Sequence, residues 1–78
     1  MQPLSHEAEG VKRGVYEHFR GNRYRVLGVG RHSETLEEVV FYEALCGEKS
    51  LWARPVSSFV DEVTHNELRV PRFRYVEE

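Results

Sequence analysis

The chain has 78 residues, of which 11 are Lys or Arg and 13 are Asp or Glu, giving a net charge of −2, with 40% apolar, 12% aromatic and 31% charged residues. This length admits one domain with a small core, and this composition belongs to a folded globular protein rather than a disordered one. The near balance of charge removes any overall pull toward nucleic acid or anionic lipid, a single cysteine excludes an intramolecular disulfide, and no apolar run reaches membrane-span or signal-peptide length, so a cytoplasmic protein with no membrane partner is expected.

Residues 1–14 carry Pro3, Gly10 and Gly14 among alternating charges and read as a lead-in tail ahead of a single domain over residues 15–78. Within "GVYEHFRGNRYRVLGVG" two strands are predicted, joined at Gly21-Asn22, where positive φ angles are tolerated. Gly28 and Gly30 interrupt the second strand and mark a bulge, bend or close backbone approach.

The stretch "GRHSETLEEVVFYEALCG" gives two contradictory signals. Thr35 with Glu38 matches a capping box and Gly47 a helix stop, yet Val39, Val40, Phe41 and Tyr42 are β-branched or aromatic and suit a pleated surface. As a helix the apolar stripe is ragged. As a strand over Glu38–Leu45 it alternates with Glu43 as the one internal charge, so a strand is predicted, fed by a polar loop from His32 to Glu37. Cys46, beside Gly47, reads as a small structural thiol in a turn. "LWARP" gives a fourth strand ended by Pro55. "VSSFVDEV" is expected to hold one helical turn with Ser57 or Ser58 as cap and Phe59 turned inward, "THNELRVP" to form a loop, and Arg72–Val76 to be a fifth strand. The expected fold is all-β: a small five-stranded, strongly bent antiparallel barrel with one short helical turn.

The motifs G-x-Y-x-H, K/R-G-x-x-Y, H-S-E-T, V-x-Y-x-A-L and L-W-x-R-P occur in this order between Gly14 and Phe59. In this the chain resembles the small bacterial proteins grouped as domain of unknown function 1653. The resemblance implies an SH3-like barrel, favours a loop at His32–Glu37, and implies no established activity. Phe19 departs from a frequent tyrosine and Cys46 from a frequent aromatic.

Several residue types that carry chemistry are present. His32, Ser33 and Glu34 have the side chains of a base, a nucleophile and an orienting acid, but such triads are recognised in space and are seldom contiguous, and a Ser or Thr beside a Glu in a tight loop more often binds backbone amides. His18, His32 and Glu34 have no metal-motif spacing, so no metal or other cofactor is expected. Trp52 and Arg54 share a strand face, where the guanidinium either pairs with Glu34 or Glu38 or forms, with the indole, an aromatic wall bearing donors; Trp52 itself is expected to be largely buried and Glu34 to lie near Arg54. Arg20, Arg23, Arg25, Arg69, Arg72 and Arg74 make a basic stripe if the first hairpin and last strand are neighbours, although Glu17, Glu67, Glu77 and Glu78 dilute it. The reading that joins these features is a non-enzymatic binding module with a ligand surface of Tyr16, His18, His32, Ser33, Glu34, Thr35, Tyr42, Trp52 and Arg54, taking a small planar or anionic ligand, a peptide or a nucleic-acid strand. The alternatives are a small enzyme using His32 and Glu34 in acid–base chemistry and an interaction subunit of a larger complex. The expected oligomeric state is a monomer or weak homodimer.

Overall fold

A computed structural model describes residues 3–78. In chain order the elements are α1 (His6–Glu9), β1 (Gly14–His18), β2 (Arg23–Arg31), β3 (Glu38–Ala44), β4 (Leu51–Pro55), α2 (Val56–Phe59), β5 (Glu62–His65), β6 (Leu68–Pro71) and β7 (Phe73–Glu77). Five strands form one antiparallel sheet in the order β4-β3-β2-β1-β7, and β5 and β6 form a separate hairpin. Among the described residues no helix is long and apolar enough to cross a membrane.

The strand reading of "EEVVFYEAL" holds. Glu38–Ala44 pairs with β2 on one side and β4 on the other, and alternation sends Val40 and Tyr42 into the core while Phe41 faces outward. The capping box is an accidental match. The Thr35 hydroxyl accepts from the Glu37 amide, and the Glu38 carboxylate accepts from the amide and hydroxyl of Ser5, both at 2.6 Å. The expected irregularities at the glycines are present. The β2–β3 register slips between Val26 and Gly28, bulging Leu27, and a side chain at Gly30 would sit 3.1 Å from the Phe41 ring. At the first hairpin Gly21 takes φ of 107° and its amide donates to the His18 carbonyl at 2.7 Å.

The sheet curls. Arg54 on edge strand β4 reaches over the ring of Phe73 on edge strand β7, 5.7 Å from its centroid, so the two edges approach across the core. The core is aromatic: Phe59 of α2 stacks on Phe73 at 4.2 Å, and Tyr16 and Tyr42 pack against the pair. Each such contact adds about 0.5–1.5 kcal/mol beyond the area it buries.

Three expectations need correction. "THNELRVP" is not a loop but most of the β5–β6 hairpin, closed by the pair His65–Leu68, with Asn66 and Glu67 both at positive φ, 53° and 67°. Two consecutive positive φ values are the signature of a type I′ turn, whose twist matches that of the paired strands. The helical turn is confined to Val56–Phe59 and follows Pro55 with no side-chain cap; the Ser58 hydroxyl donates instead to the Pro55 carbonyl. Residues 1–14 contain α1, capped by Ser5, and Ala8 is buried against the core; residues 1 and 2 lie outside the described residues. The Ser5–Glu38 bonds fasten this segment to the start of β3.

Candidate functional site

The concave side of the sheet leaves a margin along β4. Trp52 lies directly opposite Tyr42, and Arg54 opposite Val40, so all four side chains project to the same face. Tyr42 and Val40 belong to the buried core, whereas Trp52 is 54% exposed because nothing pairs beyond β4 in the sheet. The expectation of a buried Trp52 is therefore corrected: its side faces the core, and its position at the edge leaves it uncovered. Arg54 donates from Nε to the Tyr42 hydroxyl at 3.4 Å and lies over Phe73. Glu34 is exposed, and among the described residues Arg54 makes no ion pair with it; the predicted Glu34–Arg54 pair is absent.

Phe73 joins this margin to His18. The two residues are opposite each other in β7 and β1, and the rings meet edge to face at 5.0 Å. Partial burial, and then the nearby Arg20, Arg54 and Arg72, hold the His18 pKa below the ordinary histidine value. Its Nδ1 accepts from the Arg20 amide at 3.2 Å, so in the neutral ring the proton resides on Nε2. Beside it a cleft of about 290 Å³ opens between the first hairpin and β5–β6, lined by Glu17, Phe19, Gly21, His65, Val70, Pro71 and Arg74 as well as His18. Phe19 meets the His65 ring edge to face at 5.4 Å and carries the Arg20 guanidinium at the same distance.

The other residues singled out in the sequence lie elsewhere. Tyr16 is a core residue whose hydroxyl donates to the Lys12 carbonyl at 2.9 Å and accepts from the Lys12 amide at 3.0 Å, and burial raises its pKa. His32, Ser33, Glu34 and Thr35 form the β2–β3 loop beyond the pair Arg31–Glu38, whereas His18 extends past Glu17–Arg23 at the opposite end of β2. That loop closes on itself: His32 Nδ1 accepts from the amides of Glu34 and Thr35 at 3.1 and 3.3 Å, and the His32 amide donates to the Glu37 carbonyl at 2.8 Å. The structure thus brings His18, Tyr42, Trp52 and Arg54 to one curled face and keeps the loop apart.

Sequence reasoning missed Phe19, His65 and Phe73 as parts of this surface. Phe73 was within reach, since alternation in "RFRYV" marks it as inward-facing; His65 lay in a segment misread as loop. The basic stripe is largely neutralised: Arg23 and Arg74 both pair with Glu17, Arg69 with Glu62, and Arg72 with Asp61. The Arg72–Asp61 pair is bidentate, at 2.8 and 3.0 Å, and holds the Asp61 carboxyl below its ordinary pKa. Among the described residues no three His, Cys, Asp or Glu side chains gather into a metal-binding group.

The surface carries the exposed Trp52 ring, the His18 imidazole and the Arg54 guanidinium. The sequence model of the family described as Protein of unknown function (DUF1653) matches residues 14–75. The crystal structure of a protein belonging to DUF1653 from Bordetella bronchiseptica is similar to this fold with a TM-score of 0.84 and 32% sequence identity, over 90% of this chain and 92% of that one. With the family model matched over residues 14–75 and the fold shared over 90% of its length, the chain belongs to the DUF1653 family.

Proposed function

We propose that this domain is a non-catalytic binding module for a small planar anion, held between the Trp52 indole and the Arg54 guanidinium with His18 at the far side of Phe73. The observation that carries the reading is the exposure of Trp52: 54% of a tryptophan stands uncovered on the core-facing side of the sheet, with no ring or cation of the described residues stacked on it. A large apolar surface left open beside a positive charge is what a stacked, charged ligand would cover. The pairing of Arg23, Arg69, Arg72 and Arg74 with carboxylates weakens any extended field for a polyanion, which favours a small ligand over a nucleic-acid strand.

Native mass spectrometry of the purified protein, together with quenching of its single tryptophan, tests this. A retained anion that quenches Trp52 emission, lost in Trp52→Ala and Arg54→Gln while both variants keep the parent's circular dichroism, is the expected outcome. Retention that survives both substitutions would overturn it.

A further inference from the structure

We infer that a cavity between the lead-in and the aromatic core binds a small aromatic carboxylate, with its ring against the core and its charge on Lys12. The inference goes beyond the Trp52 reading and concerns a different part of the molecule. The cavity holds about 280 Å³. That is close to the lower bound of about 300 Å³ for small-molecule sites, so it takes a ligand of one or two rings. Gly10, Val11 and Lys12 of the lead-in form one side, and the rings of Tyr16, Phe59, Phe73 and Tyr75, with Val60, form the other.

The polar groups of this wall define the ligand. The Gly10 amide donates to the His6 carbonyl at 3.0 Å, the Val11 amide to the Ala8 carbonyl at 3.2 Å, and the Val60 amide to the Val56 carbonyl at 3.0 Å. Three side chains of the wall carry a polar group. The Tyr16 hydroxyl is taken up by the Lys12 amide and carbonyl. The Lys12 ammonium and the Tyr75 hydroxyl have no hydrogen-bond or ion-pair partner among the described residues. Lys12 Nζ lies 5.1 Å from the Tyr75 ring centroid, a contact that uses the face of the ring and leaves the three donors of the ammonium open.

Among the described residues no carboxylate lines the cavity, so its charge is uncompensated and positive. The complement of such a wall is an apolar body with one anionic acceptor at its end. The core favours an aromatic body. Tyr16 meets Phe59 and Tyr75 edge to face, at 5.2 and 5.3 Å, and an entering ring extends the same arrangement. A neutral ligand leaves the ammonium unpaired, and a cationic one adds a like charge beside it.

Phenylacetate, phenylacetamide and acetate, titrated separately into the carbon-13-labelled protein and followed through the Val11 and Val60 methyl signals, test this. Phenylacetate should shift both residues to saturation, phenylacetamide should bind about tenfold more weakly, and acetate, which has the charge without the ring, should not saturate. Lys12→Gln should bring phenylacetate down to the affinity of the amide, and Val60→Trp, which fills the mouth, should abolish binding, both with the parent's circular dichroism. Trp52→Ala should bind phenylacetate as the parent does. No shift of the Val11 and Val60 methyls up to about 20 mM phenylacetate, equal affinity for acid and amide, or loss of binding in Trp52→Ala overturns the inference. The comparison of acid with amide is made on the parent protein, so it decides the matter even where a variant fails to fold.

Discussion

Trp52 and Phe59 show what a single aromatic side chain contributes at two positions of one small fold. Phe59 is 2% exposed and stacked on Phe73, so Phe59→Ala removes a ring from the centre of a core that cannot refill the space, and a loss of about 3–5 kcal/mol is expected, enough to unfold much of the protein at room temperature. Trp52→Ala should shift the melting temperature by only a few degrees. Thermal denaturation of both variants checks the contrast, and a large destabilisation by Trp52→Ala would mean that the indole packs where it now stands uncovered. The inward turn of Phe59 was legible from its place in a short amphipathic segment. The exposure of Trp52 was not, because alternation gives the face of a strand and says nothing of whether the strand is central or at an edge. His32 carries a comparable lesson. Its residue type suggested chemistry, yet its Nδ1 serves two loop amides, and His32→Ala should cost about 1 kcal/mol of stability, measured by urea unfolding. His32→Asn, whose side-chain oxygen can accept a similar bond, should recover part of it.

The strands of the main sheet could be read because each announces itself locally, by alternation in β3, by Pro55 at the end of β4, and by the glycines that bulge β2. The β5–β6 hairpin was lost for the opposite reason. Its turn is Asn66-Glu67, and glutamate is a poor residue for positive φ, so the familiar Asn-Gly signal is absent although the backbone adopts the same turn. Glu67 pays about 1–2 kcal/mol for that conformation. Glu67→Gly should relieve part of it, partly offset by the freer unfolded chain, and raise the melting temperature by a few degrees. A lower melting temperature would show that the Glu67 side chain makes a compensating contact. The α1 segment was missed because four residues are too few to show a helical period, and what holds them is a bond to a residue 33 positions away. Ser5→Ala should therefore speed exchange of the Glu9 and Gly10 amides, which donate to the Ser5 and His6 carbonyls, without altering the sheet amides.

At the scale of the whole molecule the polar groups tie the parts together and set the response to acid. Glu17 bridges Arg74 of β7 and Arg23 of β2 from the strand between them, Glu38 holds the lead-in, and Asp61 with Arg72 clamps the two ends of the β5–β6 excursion. Hydrogen bonds from these partners hold all three carboxyls below their ordinary pKa. Their unfolded forms take up protons first on acidification, so the stability they provide is present above the ordinary carboxylate range and is lost as pH falls through the folded values. His18 acts earlier. Its folded pKa lies below the ordinary 6.5, so below that pH the unfolded chain binds a proton that the fold resists, and stability falls with pH through this window. Melting temperature should thus decline in two steps, the first beginning near pH 6.5 and the second in the carboxylate range. His18→Gln, which cannot titrate, should remove the first step and keep the second; an unchanged first step would show that His18 is not its source. An anion bound beside His18 reverses the sign locally, because it favours the imidazolium that the surrounding arginines disfavour. Affinity for such a ligand should therefore rise as pH falls from 7.5 to 6 in the parent and stay level in His18→Gln, and a parent whose affinity falls over the same interval would show that the surface does not hold an anion at that ring.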